Sequence, residues 1–290
     1  MLSTLARQMI SPVQPWLPDL IRPWKRFGPA PFERKIKVDF TARNFRVKTV
    51  ENSNELKQVL SLRRSVFHYE FAGKWISLKS DKDDFDDAAD HLAIFDTDTG
   101  KIVGVYRLIP SHTGYRFYSS SEFDISNFLA SPGRKLELSR ACINKDYRTG
   151  VVITLLWRGI AEYAKAAGTD YLFGLTSINT TDLTRIADTC RYFDSQGLLD
   201  MSHNMAPRAK YMIPNFENVM KGRMGIEAGT VEAAGREIPS LIKSYIKAGA
   251  KVCSQPVIDK AFNCTDWLTV LDMRQMTAAY ERKYRQESAS

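Results

Sequence analysis

Between Lys135 and Ile178 a strand, a long amphipathic helix and a second strand follow one another directly, and no other segment restricts the fold as much. The run KLELSRACI (135–143) is apolar enough for a sheet interior. Over 150–167, Val151, Val152, Leu155, Leu156, Ile160 and Tyr163 recur on one helical face, with Arg158, Glu162 and Lys165 on the other. Gly168 supplies the stop, and TDYLFGLTSI (169–178) reads as the next strand.

The flanking segments extend this unit. FRVKTVEN (45–52) alternates as a strand. NELKQVLSLRRSVFHYEF (54–71) is expected to be a helix capped by Asn52 or Ser53, with Leu56, Val59, Leu60, Val66 and Phe67 on its apolar face. HLAIFD and KIVGVYRLIP read as a hairpin turning at Asp98-Thr99-Gly100, and YRFYS as a further strand. Residues 180–238 read as a polar helical insert. PSLIKSYIKAGAKVC repeats the helix–glycine–strand pattern with Pro239 in the first turn, and DWLTVLDM (266–273) closes as a strand. The order is that of a mixed α/β domain over residues 41–290, preceded by a basic arm, residues 1–40.

The net charge of +8 sits mostly in that arm: residues 1–50 carry ten Lys or Arg against three Asp or Glu. The remainder is close to neutral, which argues against a nucleic-acid binder. A basic end suits an anionic membrane surface or an acidic protein. Within it, Trp16, Leu17, Leu20, Ile21, Trp24 and Phe27 lie among Arg22, Lys25 and Arg26, as in segments that rest at a headgroup layer. An arm packed on the protein's own body is the other reading, since Pro23 interrupts the helix. The N-terminus lacks the features of a secretory signal, so the four cysteines, without a C-x-x-C pair, are expected as thiols in a reducing cytosol. No ligand pattern for zinc appears, and the acidic run at 83–90 lacks the glycine and terminal glutamate of a calcium loop.

Three arginines stand where hydrophobic residues belong. Arg63 falls on the apolar face of its helix, Arg107 shares strand parity with Val103, Val105 and Ile109, and Arg140 shares a strand with Glu137. Buried charges need partners. The acids at hand are Glu137, Asp83, Asp84, Asp86, Asp87 and Asp90. One reading is a shared buried cluster, the other a set of surface ion pairs. For Glu137 and Arg140 to reach one face, the strand needs a β-bulge at or near Ser139. Arg148, Thr149 and Gly150 open the 150–167 helix, where backbone N–H groups and the helix dipole favour a phosphate.

The segments LRRSVF, DDFDDAADHL, VGVYRLIPS, EFDI, LELSRACINKDYRTG and LLWRGIAEYA resemble, in that order, the acyl-ornithine-type N-acyltransferases of bacterial aminolipid synthesis. This is the haemolysin-like branch of the GNAT superfamily, related more thinly to acyl-homoserine lactone synthases. The resemblance implies a mostly antiparallel, twisted sheet flanked by helices. It implies transfer of a (3-hydroxy)fatty acyl group from an acyl carrier protein thioester to the α-amine of an amino acid, ornithine above others. Its charged positions match Arg63, Phe67, Asp83, Asp86, Arg107, Glu137 and Arg140 here, which points to Glu137, Arg140, Asp83 and Asp86 as catalytic and Arg63, Phe67 and Arg107 as substrate-binding. Since an α-ammonium must lose a proton before it attacks, Glu137 is the candidate base, directly or through a water. Arg148, Thr149 and Gly150 would receive the phosphopantetheine arm, with no permanently bound cofactor. The loop R-T-G-V-V-I lacks the superfamily's glycines in register, which fits a carrier protein better than CoA. The implied location is the cytoplasm, peripheral on the inner face of the bacterial membrane. The alternatives are a lactone or N-acyl amino acid signal synthase, an acetyl-CoA-dependent N-acetyltransferase, and a non-catalytic module.

Overall fold

The computed structural model describes residues 32–67, 81–113, 116–225 and 227–276; the Trp-bearing stretch of the basic arm lies outside them. The strands are β1 (Asp39–Ala42), β2 (Phe45–Thr49), β3 (Asp90–Asp96), β4 (Ile102–Pro110), β5 (Phe123–Asp124), β6 (Lys135–Ile143), β7 (Tyr171–Ile178), β8 (Ala206–Pro207), β9 (Lys251–Val252), β10 (Val257–Asp259) and β11 (Cys264–Asp272). The helices are α1 (Ser53–Arg64), α2 (Ser126–Ala130), α3 (Val151–Ala167), α4 (Leu183–Ser195), α5 (Phe216–Gly222), α6 (Ala228–Glu237) and α7 (Ser240–Ala248).

One nine-stranded sheet runs β1-β2-β3-β4-β6-β7-β11-β10, with β9 also on β11, while β5 and β8 pair separately. Within it every described pairing is antiparallel except β6 with β7. The expected mixed α/β architecture holds. The two faces of the central strands divide the core. Leu92, Ile94, Tyr106 and Leu108 pack with Leu156, Ile160 and Tyr163 of α3, whereas Ala93 and Val105 pack with Val59 and Leu60 of α1. Asn52 caps α1, its side chain accepting from the amides of Asn54 and Glu55. α1 runs to Arg64 and passes into a π-turn through Phe67; the last four residues of the expected helix, 68–71, lie outside the described residues. Gly168 ends α3 at φ 62°, a left-handed conformation that costs glycine little. α4, α5 and α6 occupy the expected insert.

The feature that prepares the site is a fork. β6 and β7 pair only over Lys135–Glu137 and Tyr171–Phe173, although β6 continues to Ile143 and β7 to Ile178. Gly174 stands at the branch, where a Cβ would lie 2.2 Å from the Leu138 carbonyl oxygen. Gly174→Ala is therefore expected to force the backbones apart and cost about 1–3 kcal/mol. Urea unfolding would show the loss, and an unchanged variant would contradict the close approach.

Candidate active site

On the α1 face, four segments bring charges together. Arg63 Nε donates to Asp81 Oδ2 at 2.6 Å, and its Nη1 to Asp86 Oδ1 at 2.5 Å. Arg107 donates from Nη1 to Asp83 Oδ1 at 2.5 Å and to Asp86 Oδ1 at 3.1 Å, and from Nε to Ser139 Oγ at 3.0 Å. Arg140 Nη2 reaches Asp83 Oδ2 at 3.0 Å. Arg63, Arg107 and Asp86 are 0% exposed, so the buried cluster forms and the surface-pair reading falls. Burial alone would raise the Asp86 pKa, but the charge and hydrogen bond of Arg63, then the charge of Arg107, hold it down at about 2. Asp83 is also held below the usual carboxylate range, the contacts with Arg107 outweighing burial. His91 touches the Asp86 backbone carbonyl at 3.0 Å, and burial keeps it a neutral imidazole with a pKa of about 4.

The acidic run divides. Asp84 and Asp87 are exposed, and Asp90 serves the opposite face, accepting from the Tyr163 hydroxyl at 2.9 Å. These three do not join the cluster. Asp81, which the sequence reading passed over, does.

The bulge lies one residue beyond Ser139. Arg107 faces Ser139 and Val105 faces Cys142, so Arg140 and Ala141 together oppose Tyr106. Arg140 takes φ 53°, and this left-handed residue brings its side chain to the face that carries Glu137 and Ser139. Its guanidinium lies 5.2 Å from the ring centre of Tyr118, 5.5 Å from that of Phe262 and 5.7 Å from that of Phe67. Among the described residues its buried Nε has no hydrogen-bond partner.

Glu137 and Arg140 share a face but do not pair. The Glu137 carboxylate is 0% exposed and takes three donors: Tyr118 N at 2.7 Å, Ser119 N at 2.7 Å and Ser119 Oγ at 2.5 Å. Both oxygens accept hydrogen bonds, so the carboxylate is engaged in holding the adjacent turn. Burial raises its pKa, against the Ser119 hydrogen bonds. What it visibly does is fasten the 3₁₀ turn Tyr118–Ser121, where a strand was expected from YRFYS. Glu137→Gln puts an amide where three donors converge, at an expected cost of about 1–3 kcal/mol. Activity should fall with the pH–rate profile unmoved; loss of its acidic limb would instead show Glu137 taking the proton.

On the opposite face, a small groove of about 40 Å³ follows the fork, lined by Leu138, Trp157, Gly174, Thr176, Tyr245 and Thr269 among others. Tyr245 is fixed by a hydrogen bond to the hydroxyl of Tyr106, the residue opposite the bulge. The groove thus lies between α3 and α7 at the fork, and the charged cluster lies on the α1 side of the same sheet. Gly150 caps α3 at φ 87° with no side-chain bond, and Arg148, Thr149 and Gly150 are all exposed. Arg148 donates from Nε and Nη2 to the Ile143 carbonyl, at 3.1 and 2.9 Å.

A second group of acids escaped the sequence reading: Glu122, Asp259 and Asp266, all buried. Asp266 shares strand parity with Leu268 and Val270, the same signal that exposed Arg107. Glu122 and Asp259 lie outside any periodic run and carry no such signal. Among the described residues no helix is long and apolar enough to cross a membrane.

The Acetyltransferase (GNAT) domain family matches residues 27–158. An L-ornithine N(alpha)-acyltransferase of Agrobacterium fabrum is 31% identical over 250 residues, covering 80% of this chain and 82% of the relative. The chain belongs to the L-ornithine N(alpha)-acyltransferase family. Another member, from Rhizobium meliloti, is 33% identical over 219 residues and covers 71% of each chain. The solved structure of the AHL synthase LasI aligns over 83% of this chain and 95% of its own with 14% identity and a TM-score of 0.46. The enzyme is an N-acyltransferase with a GNAT-like fold.

Proposed function

We propose that this N-acyltransferase moves a fatty acyl group, 3-hydroxylated, from the phosphopantetheine thioester of acyl carrier protein to the α-amine of ornithine, the first step of an aminolipid synthesis. The fork between β6 and β7 carries the reading. It offers an apolar groove for the acyl-pantetheine arm on one face and charged groups for an amino acid on the other. The ornithine acceptor rests on the names of the relatives.

In this reading the thioester carbonyl sits in the fork. The amine attacks it from the charged face, the C–N bond forms, the C–S bond breaks, and the thiol leaves with the proton the amine gives up. The α-amine ionises near pH 8, so solvent accepts its first proton without a dedicated base. Backbone N–H groups at the Arg140–Ala141 bulge stabilise the oxyanion. Arg140 holds the acceptor carboxylate, Phe67 and Phe262 flank it, and Asp83 keeps it oriented. Arg63, Asp86 and Arg107 act beneath as the scaffold, and Glu137 as a positioning residue for Tyr118. The phosphate of the arm lies at Arg148, Thr149 and Gly150, and Lys145 and Arg148 meet the acidic carrier protein. The basic N-terminal segment rests on the inner face of the membrane that receives the product.

The test is incubation of the full chain with ornithine and either acyl-carrier-protein or acyl-CoA thioesters, with mass-spectrometric product analysis. Nα-acylornithine formed faster from the carrier protein is expected. Acetylation from acetyl-CoA, with no use of long-chain thioesters, would overturn the reading.

A further inference from the structure

We propose that Glu122, Asp259 and Asp266 form the subsite for the side-chain ammonium of a dibasic acceptor, and that this subsite directs acylation to the α-amine. The inference rests on the amino-acid acceptor proposed above and adds where the second amine is held and why it does not react.

The residues converge from two segments. Asp259 ends β10, Asp266 lies on β11 as the register partner of Ser177, and Glu122 follows the 3₁₀ turn fastened by Glu137. Ligand atoms of Asp259, Cys264 and Asp266 lie within 4.8 Å of one another. Glu122 meets Asp266 carboxyl to carboxyl. The three acids are 2%, 8% and 3% exposed in the order Glu122, Asp259, Asp266, and among the described residues none of them has an ion-pair partner. The Glu122 carboxyl bonds Asp266, but among the described residues its buried Oε2 has no hydrogen-bond partner. Such a group is costly unless something arrives to satisfy it. Burial, and then the charges of the neighbouring acids, push the Glu122 pKa upward, and burial does the same for Asp266, so a proton resides between the pair when the subsite is empty.

The missing partner is a cation with several N–H donors. A primary ammonium has three, enough for Glu122 Oε2, Asp266 and the second oxygen of Asp259. Asp259 Oδ1 is already engaged by the amides of Ala261 at 2.7 Å and Phe262 at 3.3 Å. A divalent metal suits the cluster less well. The Cys264 thiol lies 3.6 Å from Asp266 Oδ1, and burial with the nearby carboxylates keeps it protonated and donating rather than ligating. The neighbourhood is also right. Phe262, at the tip of the β10–β11 hairpin, and Tyr118, four residues before Glu122, both stack on Arg140. A carboxylate on Arg140 and an ammonium among the acids leave the α-amine between them. Carboxylates around the side-chain ammonium keep it protonated and without a lone pair. The α-ammonium, with an ordinary pKa about two units lower, loses its proton and attacks.

The test compares ornithine with norvaline, which has the same carbon chain without the side-chain amine, in the wild-type enzyme and in Glu122→Gln and Asp259→Asn. The wild type is expected to favour ornithine in kcat/KM by about 10²-fold or more, since a site built for a polar group rejects an analogue lacking it. In either folded variant the ratio should fall below about tenfold, with side-chain-acylated product appearing. Equal use of the two acceptors by the wild type would overturn the inference and leave the acyl-transfer reading standing. Failure to acylate any amino acid would instead sink that reading; calorimetric titration without donor then decides the subsite, which requires ornithine to bind and norvaline not to. The wild-type comparison needs no variant to fold. Zinc or magnesium binding that ornithine does not displace would also overturn it.

Discussion

Replacing Asp86 with alanine is expected to cost about 3–5 kcal/mol, the penalty for leaving buried charge without its partner. Arg63 and Arg107 are both 0% exposed, and both donate to this one carboxylate. Asp81 and Asp83 remain, but each is engaged elsewhere in the network, so neither can take over both arginines. Against a typical total of about 5–15 kcal/mol, the loss brings the fold to its limit. Urea unfolding measures it, and a change under about 1 kcal/mol would contradict the network. Acid gives an independent reading. The folded pKa of about 2 lies below the unfolded value near 3.9, so the contribution is complete above about pH 4. It is lost as pH falls through about 2, and amounts to about 2–3 kcal/mol. Asp86→Ala should therefore flatten the acid limb of the stability profile.

Two substitutions at Arg140 separate its backbone from its guanidinium. Arg140→Gly and Arg140→Val both delete the side chain that contacts Asp83 and three aromatic rings. Only glycine accepts φ 53° without steric penalty, whereas a β-branched residue there is strained by about 1–3 kcal/mol. The glycine variant is expected to keep its stability within about 1 kcal/mol, because relief of the backbone offsets the lost contacts and Asp83 retains Arg107. The valine variant should unfold at clearly lower denaturant. Both should lose about 10²-fold or more in kcat/KM for ornithine, the scale of a truncated charge pair to substrate. Full activity in the glycine variant would show that the bulge alone, not the guanidinium, serves the reaction.

What could be read in advance followed periodicity. Arg63 and Arg107 stood out because helix and strand spacing assign each residue a face, and a charge on the wrong face must be buried with a partner. The bulge followed from the same logic, since Glu137 and Arg140 cannot otherwise share a side. Which acids would answer was not readable. Side chains in the 81–87 loop obey no period, so Asp81 and Asp86 turn inward while Asp84 and Asp87 face water. The part Glu137 plays was hidden for a related reason: its partners are backbone amides of a 3₁₀ turn, and a sequence does not show where amides point. Asp266 was within reach of the parity argument; Glu122, which meets it, was not.

The central claim is that donor and acceptor meet through the fork between β6 and β7 from opposite faces of the sheet. A crystal structure of the full chain with ornithine and a non-hydrolysable thioether analogue of acyl-phosphopantetheine tests it most directly. The expected result is a pantetheine arm under Trp157 and Tyr245, its thioether between Leu138 and Gly174, and an ornithine on Arg140 at the far side. Both ligands on one face, or an arm bound away from the fork, would contradict it.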